Sequence, residues 1–315
     1  MDAVTWGLMG GVLALLIVAT TVVRIVRRRI DEGLNPAIVE TFWSRVRAWW
    51  LLFAGLAGAL LLGKTATIVL FGIVSFWALR EFITLTPTRP SDHRALFWVF
   101  FLCTPVQYVF VGFGWYHLYA VAIPVFALTL MPARIALSDD PKRFLERTAK
   151  IQSGLLICVY FLSFAAALLT LGGEDAWGRN TRLLFFFVLL TQLSDALQFA
   201  WSHLPTKHVI APNINNSRTW EGVLGGCASV TLLGALLTPV TPFESVWITA
   251  GMSLVIAVMG FAGAMTMSAI KRDRGVRDYG TLVEGHGGLL DRIDSVCFAA
   301  PVFFHLVQWY LQYLQ

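Results

Sequence analysis

Ten apolar runs follow one another along the chain, near 6–26, 49–63, 66–80, 95–112, 115–133, 151–171, 183–203, 222–240, 246–266 and 294–313. Most are long enough to cross the hydrocarbon of a bilayer as a helix. In lipid the backbone must satisfy its own hydrogen bonds, and the alternating pattern of a barrel strand is missing, so helices are the remaining solution. A mean hydropathy of +0.68 and a charged fraction of only 14% agree with that reading. The sequence therefore predicts an all-α, polytopic integral membrane protein with about ten transmembrane helices. The second and third runs are short, which fits tilted, tightly paired or partly re-entrant helices. The first run ends in Arg27-Arg28-Arg29 and no small-residue cleavage site follows, so it reads as a retained helix and not a signal peptide. Residues 36–50 mix Arg45 and Arg47 with Phe42, Trp43, Trp49 and Trp50, as an interfacial helix leading into the second span would.

Charge placement orients these spans. Of the 24 lysines and arginines, all but Lys64, Arg179 and Arg182 fall at or beyond the ends of odd-numbered spans. The positive-inside rule puts those loops in the cytoplasm and both termini on the opposite side. The net charge of +5 reflects these short loops and does not indicate nucleic acid. Cys103, Cys158, Cys227 and Cys297 each lie in a different apolar run, with no CxxC pair and no nearby His, so neither a disulfide framework nor a zinc site is expected. Pro36, Pro105, Pro124 and Pro301 are candidates for helix kinks, and the GVLGG stretch at 222–226 for close helix packing. Glu81, at the end of the third span, reads as a surface residue, with a supporting role behind a site left open.

The loop after the ninth span concentrates the polar chemistry. Residues 268–294 hold Lys271, Arg272, Arg274, Arg277 and Arg292 together with Asp273, Asp278, Glu284, Asp291 and Asp294. Carboxylates are the oxygen ligands that Mg²⁺ prefers, and Lys and Arg neutralise phosphate oxygens. Gly275, Gly280, Gly285, Gly287 and Gly288 permit a close backbone approach to a ligand. Such a set suits a Mg²⁺-nucleotide or a pyrophosphate, although on composition alone a solvated loop at a membrane surface is the favoured reading.

The order of residues separates the two readings. Ser268, Lys271-Arg272, Asp278-x-Gly280, His286-Gly287-Gly288 and Asp291-Arg292-x-Asp294 closely resemble the signature of phosphatidate cytidylyltransferases, S-x-x-K-R, four residues, then K-D-x-G-x-x-[LIF]-P-x-H-G-G-x-x-D-R-x-D. Arg277 stands where that family has Lys, and Glu284 where it has Pro. A second stretch, Asn215-Asn216-Ser217-Arg218-Thr219-Trp220-Glu221-Gly222, resembles the family's S-P-K-K-T-W-E-G, with the Thr-Trp-Glu-Gly core identical. Taken alone, this loop would be a connection whose Ser217 and Thr219 cap the next helix. Asp195 lies just upstream inside an apolar run with no basic residue nearby in its own helix. An ionisable group there needs a partner or a wet cavity, which makes it a functional candidate. The resemblance covers the C-terminal part of the chain, so residues 183–315 are expected to form the catalytic transmembrane region and residues 1–182 the N-terminal helices.

The resemblance implies attack by a phosphate-monoester oxygen of phosphatidate on the α-phosphorus of CTP, releasing pyrophosphate and forming CDP-diacylglycerol. It implies Mg²⁺ as cofactor, with Asp278, Asp291 and Asp294 as ligands and Asp195 as a further one from the facing helix. Lys271 and His286 join the catalytic set, with a turn-holding role for His286 equally open. Ser268, Arg272, Arg277, Arg292, Arg218, Thr219, Gly287 and Gly288 become substrate contacts. The expected partners are CTP, phosphatidate and membrane lipids, with a homodimer left open. The expected location is a bacterial inner (plasma) membrane with the site facing the cytoplasm. Two rivals remain at this point: a CTP-dependent enzyme acting on another lipid phosphate, and a lipid or solute transporter built on the same spans. The pattern of a CDP-alcohol phosphotransferase, D-G-x-x-A-R followed by spaced aspartates, does not occur.

Overall fold

A computed structural model of the protein describes residues 3–28, 36–85, 88–173, 176–204, 208–276, 279 and 288–313. Among them the ten predicted runs become ten helices: α1 (Ala3–Arg28), α2 (Pro36–Leu62), α3 (Lys64–Leu85), α4 (Pro90–Gly112), α5 (Tyr116–Ala136), α6 (Phe144–Thr170), α7 (Trp177–Trp201), α8 (Trp220–Leu236), α9 (Val246–Asp273) and α10 (Leu290–Tyr313). Eight of these are long and apolar enough to cross a membrane. The other two are α8, which is apolar but shorter, and α10, which opens with charged residues. The all-α polytopic class holds. Large apolar side chains point out of the protein at Leu62, Leu137, Leu224, Leu232, Leu236 and Trp247. A water-facing surface would be polar at such positions, whereas a lipid-facing one has no reason to be.

The chain divides into two compact units, Met1–Leu70 and Phe71–Gln315. In the first, α1 packs on α2, and the expected interfacial segment is the start of the continuous helix α2. The Trp50 indole donates to Thr20 at 2.9 Å, and Arg24, Arg27 and Arg47 gather around the Trp43 ring at 5.8–5.9 Å. Guanidinium groups on an indole face are favourable at a membrane–water boundary, where the ring is half in lipid.

In the second unit, α10 packs against α6, α7 and α9, and its inner face is buried at Cys297, Ala300, Phe303, Phe304 and Val307. Three helices contain π-helical turns, at Val99–Cys103, Ala122–Ala127 and Leu155–Phe161. Pro124 lies within the second, and Pro105 stands two residues beyond the first. The missing proline N–H and its ring clash explain the widened turns there. Between α7 and α8 runs a two-stranded antiparallel hairpin, β1 (Val209–Ala211) and β2 (Asn215–Thr219), which the sequence reading did not anticipate. Thr219 ends the hairpin and caps α8, accepting a hydrogen bond from the Gly222 N–H at 3.0 Å.

Two features set the region around the ninth loop. One is a buried ion pair at the start of α6, where Arg147 meets Asp92 at 2.6 Å and also donates to the Asp140 and Lys142 carbonyls. This ties the first turn of α4 to the start of α6 and to the segment just before it. Glu146 beside it lies 3.8 Å from Arg274, just past the end of α9. The other is close packing of α8 on α7. A Cβ on Gly226 would sit 2.8 Å from the Gln198 backbone nitrogen, and one on Gly222 would sit 2.8 Å from the Gln198 carbonyl oxygen. The four-residue spacing of small residues thus lets two helices touch at the turn that carries Gln198. Gly226→Ala is expected to destabilise the protein by about 1–3 kcal/mol through overpacking. Gly58→Ala, in α2 where a Cβ meets nothing within 4 Å, is expected to be neutral or slightly stabilising. Thermal unfolding of the two variants in detergent checks the pair.

Candidate active site

The last turn of α9 and the first turn of α10 bring the two charged ends of the signature loop together. Lys271 Nζ donates to Asp291 Oδ1 at 2.7 Å, and the other carboxylate oxygen accepts the backbone N–H groups of Tyr279 at 2.8 Å and Gly288 at 3.1 Å. Asp291 therefore organises the loop with both oxygens engaged. Tyr279 is buried, donates its hydroxyl to the Met267 carbonyl at 3.0 Å, and presents its ring to Lys271 at 5.5 Å. The sequence reading did not single it out.

One turn further along α10 lies a second cluster. The Ser295 hydroxyl donates to Asp195 Oδ2 at 2.6 Å and lies 3.3 Å from Asp294 Oδ1, which also accepts the Ser295 N–H at 2.7 Å. Two carboxylates from α7 and α10 thus face each other across one hydroxyl. The intramembrane Asp195, which has no basic residue nearby in its own helix, receives one from the hairpin: Arg218 approaches its Oδ1 at 3.2 Å. Arg218 also donates to Gln198 Oε1 at 2.8 Å, and the Gln198 amide donates to Ser194 at 2.9 Å. Gln198 is three residues beyond Asp195 on the same helix face, and a buried amide in an apolar run was the signal that could have marked it.

The hairpin also meets α9. Asn215 donates to the Ser268 hydroxyl at 3.1 Å, and Arg272 Nε donates to the Ile214 carbonyl at 3.2 Å. Ser268 itself donates to the Ala264 carbonyl, while Ser217 donates to Asn215 within the hairpin rather than capping α8. The two sequence stretches, read separately, are one connected structure. Glu221 is clasped by His208, and the hydrogen bonds to that residue's ring and backbone N–H lower its carboxyl pKa to about 2. The Arg292 carbonyl accepts from Gln192 at 3.2 Å. Arg277, Asp278, His286 and Gly287 lie outside the described residues.

Glu81 departs from expectation. It is 5% exposed and not on the surface, and its two oxygens accept the backbone N–H groups of Leu289 at 3.0 Å and Leu290 at 2.8 Å. Its partners lie over 200 residues away in sequence, so nothing in its neighbourhood announced the role.

The donor set accommodates Mg²⁺. Asp195 and Asp294 offer hard oxygens at one point, two carboxylates against a single guanidinium. Mg²⁺ is commonly held by one or two carboxylates plus water and substrate phosphates. Among the described residues no group of three His, Cys, Asp or Glu is gathered for a metal.

A profile of the cytidylyltransferase family matches residues 43–310, nearly the whole chain and both clusters. The chain belongs to the cytidylyltransferase family. It is similar to the uncharacterized protein YnbB of Escherichia coli K12, 34% identical over 300 residues, covering 94% of this chain and 96% of that one. It is also similar to the phosphatidate cytidylyltransferases of Staphylococcus aureus, 35% identical over 121 residues (38% of this chain, 46% of theirs), and of Mycobacterium leprae, 33% identical over 142 residues (45% and 44%). The match thus spans a little under half the length of these two enzymes. As a cytidylyltransferase the protein is a membrane-embedded nucleotidyltransferase, which decides against the transporter reading. Within this cytidylyltransferase, Asp291→Asn is expected to weaken the Lys271 bridge and the hold on Tyr279 and Gly288. Hydrogen exchange at Tyr279 and Gly288 should then rise about tenfold or more, the scale of a lost charge-assisted bond, while the helices stay protected.

Proposed function

We propose that the protein is a CTP:phosphatidate cytidylyltransferase, making CDP-diacylglycerol and pyrophosphate. The observation that carries the reading is the joining of the two motif regions at Asp195, Ser295 and Asp294, with Arg218 alongside. Two anionic reactants must be held together, and a paired-carboxylate metal site beside a guanidinium and a lysine is suited to that.

In the reaction a phosphate-monoester oxygen of the lipid forms a new bond to the α-phosphorus of CTP, and the α–β phosphoanhydride bond breaks. The electron pair leaves with pyrophosphate, so no side-chain nucleophile is required. Asp195 and Asp294 would hold Mg²⁺, joined by Asp278 from the loop. Bound there, the ion supplies neutralisation of phosphate oxygens. Asp291 can enter the metal set only by exchanging Lys271 or its backbone donors, and its part here is to hold the loop. Arg218, anchored by Gln198, and Arg272, at the exposed end of α9, are the cations that orient phosphate groups. Lys271 neutralises charge from beside the Tyr279 ring, and Ser295 keeps the two aspartates in register. The acyl chains remain in the bilayer against the apolar outer faces of the helices. The placement of lysines and arginines supports a cytoplasmic position for the signature loop, where CTP is available, in what we read as a bacterial inner membrane.

Activation of a different lipid phosphate is the second reading. Glu284, where the related enzymes carry Pro, adds a carboxylate to the loop, and a changed loop can change the lipid accepted. Purified protein incubated with labelled CTP and phosphatidate is expected to move label into the lipid phase with Mg²⁺ and not with EDTA. Asp294→Asn should lower that rate about a hundredfold or more while the melting transition is kept, the scale of lost metal-assisted charge stabilisation. Wild-type-like turnover in this variant contradicts the metal assignment. Turnover with a polyprenyl or other lipid phosphate, but not with phosphatidate, selects the second reading.

A further inference from the structure

We propose that the end of α3 is a clamp that positions the catalytic loop, with Glu81 as a positioning residue for nucleotidyl transfer. Two independent contacts carry the inference. Glu81 binds the loop's far end, one carboxylate oxygen to each of the adjacent Leu289 and Leu290 N–H groups. Phe82, its neighbour, stacks on the near end, its ring 6.3 Å from that of Tyr279 and inclined by only 15°. One helical turn thus grips both described ends of the segment whose interior carries the remaining motif residues.

The electrostatics explain why a carboxylate can be buried there. The first N–H groups of α10 have no partner within the helix, and the helix N-terminus carries partial positive charge. A bidentate carboxylate satisfies both, and those bonds offset a desolvation cost of several kcal/mol. The same bonds engage these two N–H groups, so they are not free to cradle a phosphate. The clamp is itself braced from behind. A Cβ on Gly154 would lie 2.9 Å from the Phe82 ring, so α6 closes directly on the end of α3. Phe82 and Tyr279 are each 2% exposed, and Leu290 is fully buried.

Glu81 touches no residue assigned to substrate, and it acts through the first turn of α10. Leu289 and Leu290 immediately precede Asp291, and Asp294 and Ser295 follow within about one turn. A displacement of this turn by about 1 Å moves both carboxylate clusters at once, enough to cost on the order of a hundredfold in rate.

The test compares Glu81→Gln, Glu81→Asp and Phe82→Leu in the full-length protein. The activity arm rests on the cytidylyl-transfer reading, whereas hydrogen exchange without substrate does not. In Glu81→Gln one acceptor becomes an N–H₂ donor facing an N–H. Exchange in 288–296 is expected to rise about tenfold or more, with the rest of α10 unchanged. Turnover should fall about 10²-fold, and the half-saturating Mg²⁺ concentration should rise, which a smaller folded fraction could not produce. Glu81→Asp, which keeps the charge, should recover part of both losses. Unchanged exchange at 288–296 in Glu81→Gln overturns the clamp. Exchange raised uniformly along the chain, with half-saturating Mg²⁺ unmoved, also overturns it by reducing Glu81 to a general stability residue. A wild-type protein without cytidylyl transfer would defeat the functional reading and leave the exchange result to judge the clamp.

Discussion

Four carboxylates set among apolar helices, Glu81, Asp195, Asp291 and Asp294, are the constraint on which the site depends. Each is costly to remove from water unless it is paired and hydrogen-bonded, and each is answered differently. Glu81 is answered by backbone N–H groups at a helix start, Asp291 by Lys271 and two more N–H groups, and Asp195 by Arg218 and Ser295. Asp294 is answered by the N–H and hydroxyl of Ser295, both at its Oδ1, whereas the other three engage both carboxylate oxygens among the described residues. The carboxylate with the most spare capacity thus lies against another carboxylate, the arrangement that a divalent cation relieves.

These requirements fix how the helices pack. The hairpin must reach across to deliver Arg218 to α7, and it does so while pinned to α9 through Asn215 and Arg272. α8 must then start close to α7, which the Gly222 and Gly226 spacing permits. Charge satisfaction and close packing are therefore one design: a larger side chain at Gly226 would press on Gln198, the residue that orients Arg218.

Most of the architecture was legible in the sequence. Hydropathy alone located ten helices, because lipid leaves the backbone so few choices, but not their polar ends: α2 begins at Pro36, well before the run near 49–63, and α9 reaches Asp273, past the run near 246–266. The two polar stretches were legible as spacing patterns, and Asp195 as a charge without a partner in its own helix. What was not legible was the pairing. Ser268 and Thr219 looked like ligand contacts or caps, and only the structure shows one bonding to its own helix and to Asn215 and the other capping α8. Glu81 follows Arg80, and that local context suggested a surface position. Its partners come from the far end of the chain, and no local pattern encodes a contact of that range. Gln198 and Ser295 carry no charge, and their importance lies wholly in which charged groups they touch.

The central claim is that Asp195 and Asp294, brought together by α7 and α10, form the cation site that holds the nucleotide. Binding of Mn²⁺, a paramagnetic stand-in for Mg²⁺, tests it most directly by electron paramagnetic resonance on the detergent-solubilised protein with CTP. The account predicts a bound Mn²⁺ signal that requires CTP and weakens at least about tenfold in both Asp195→Asn and Asp294→Asn. Equal Mn²⁺ binding in the wild type and both variants would contradict it.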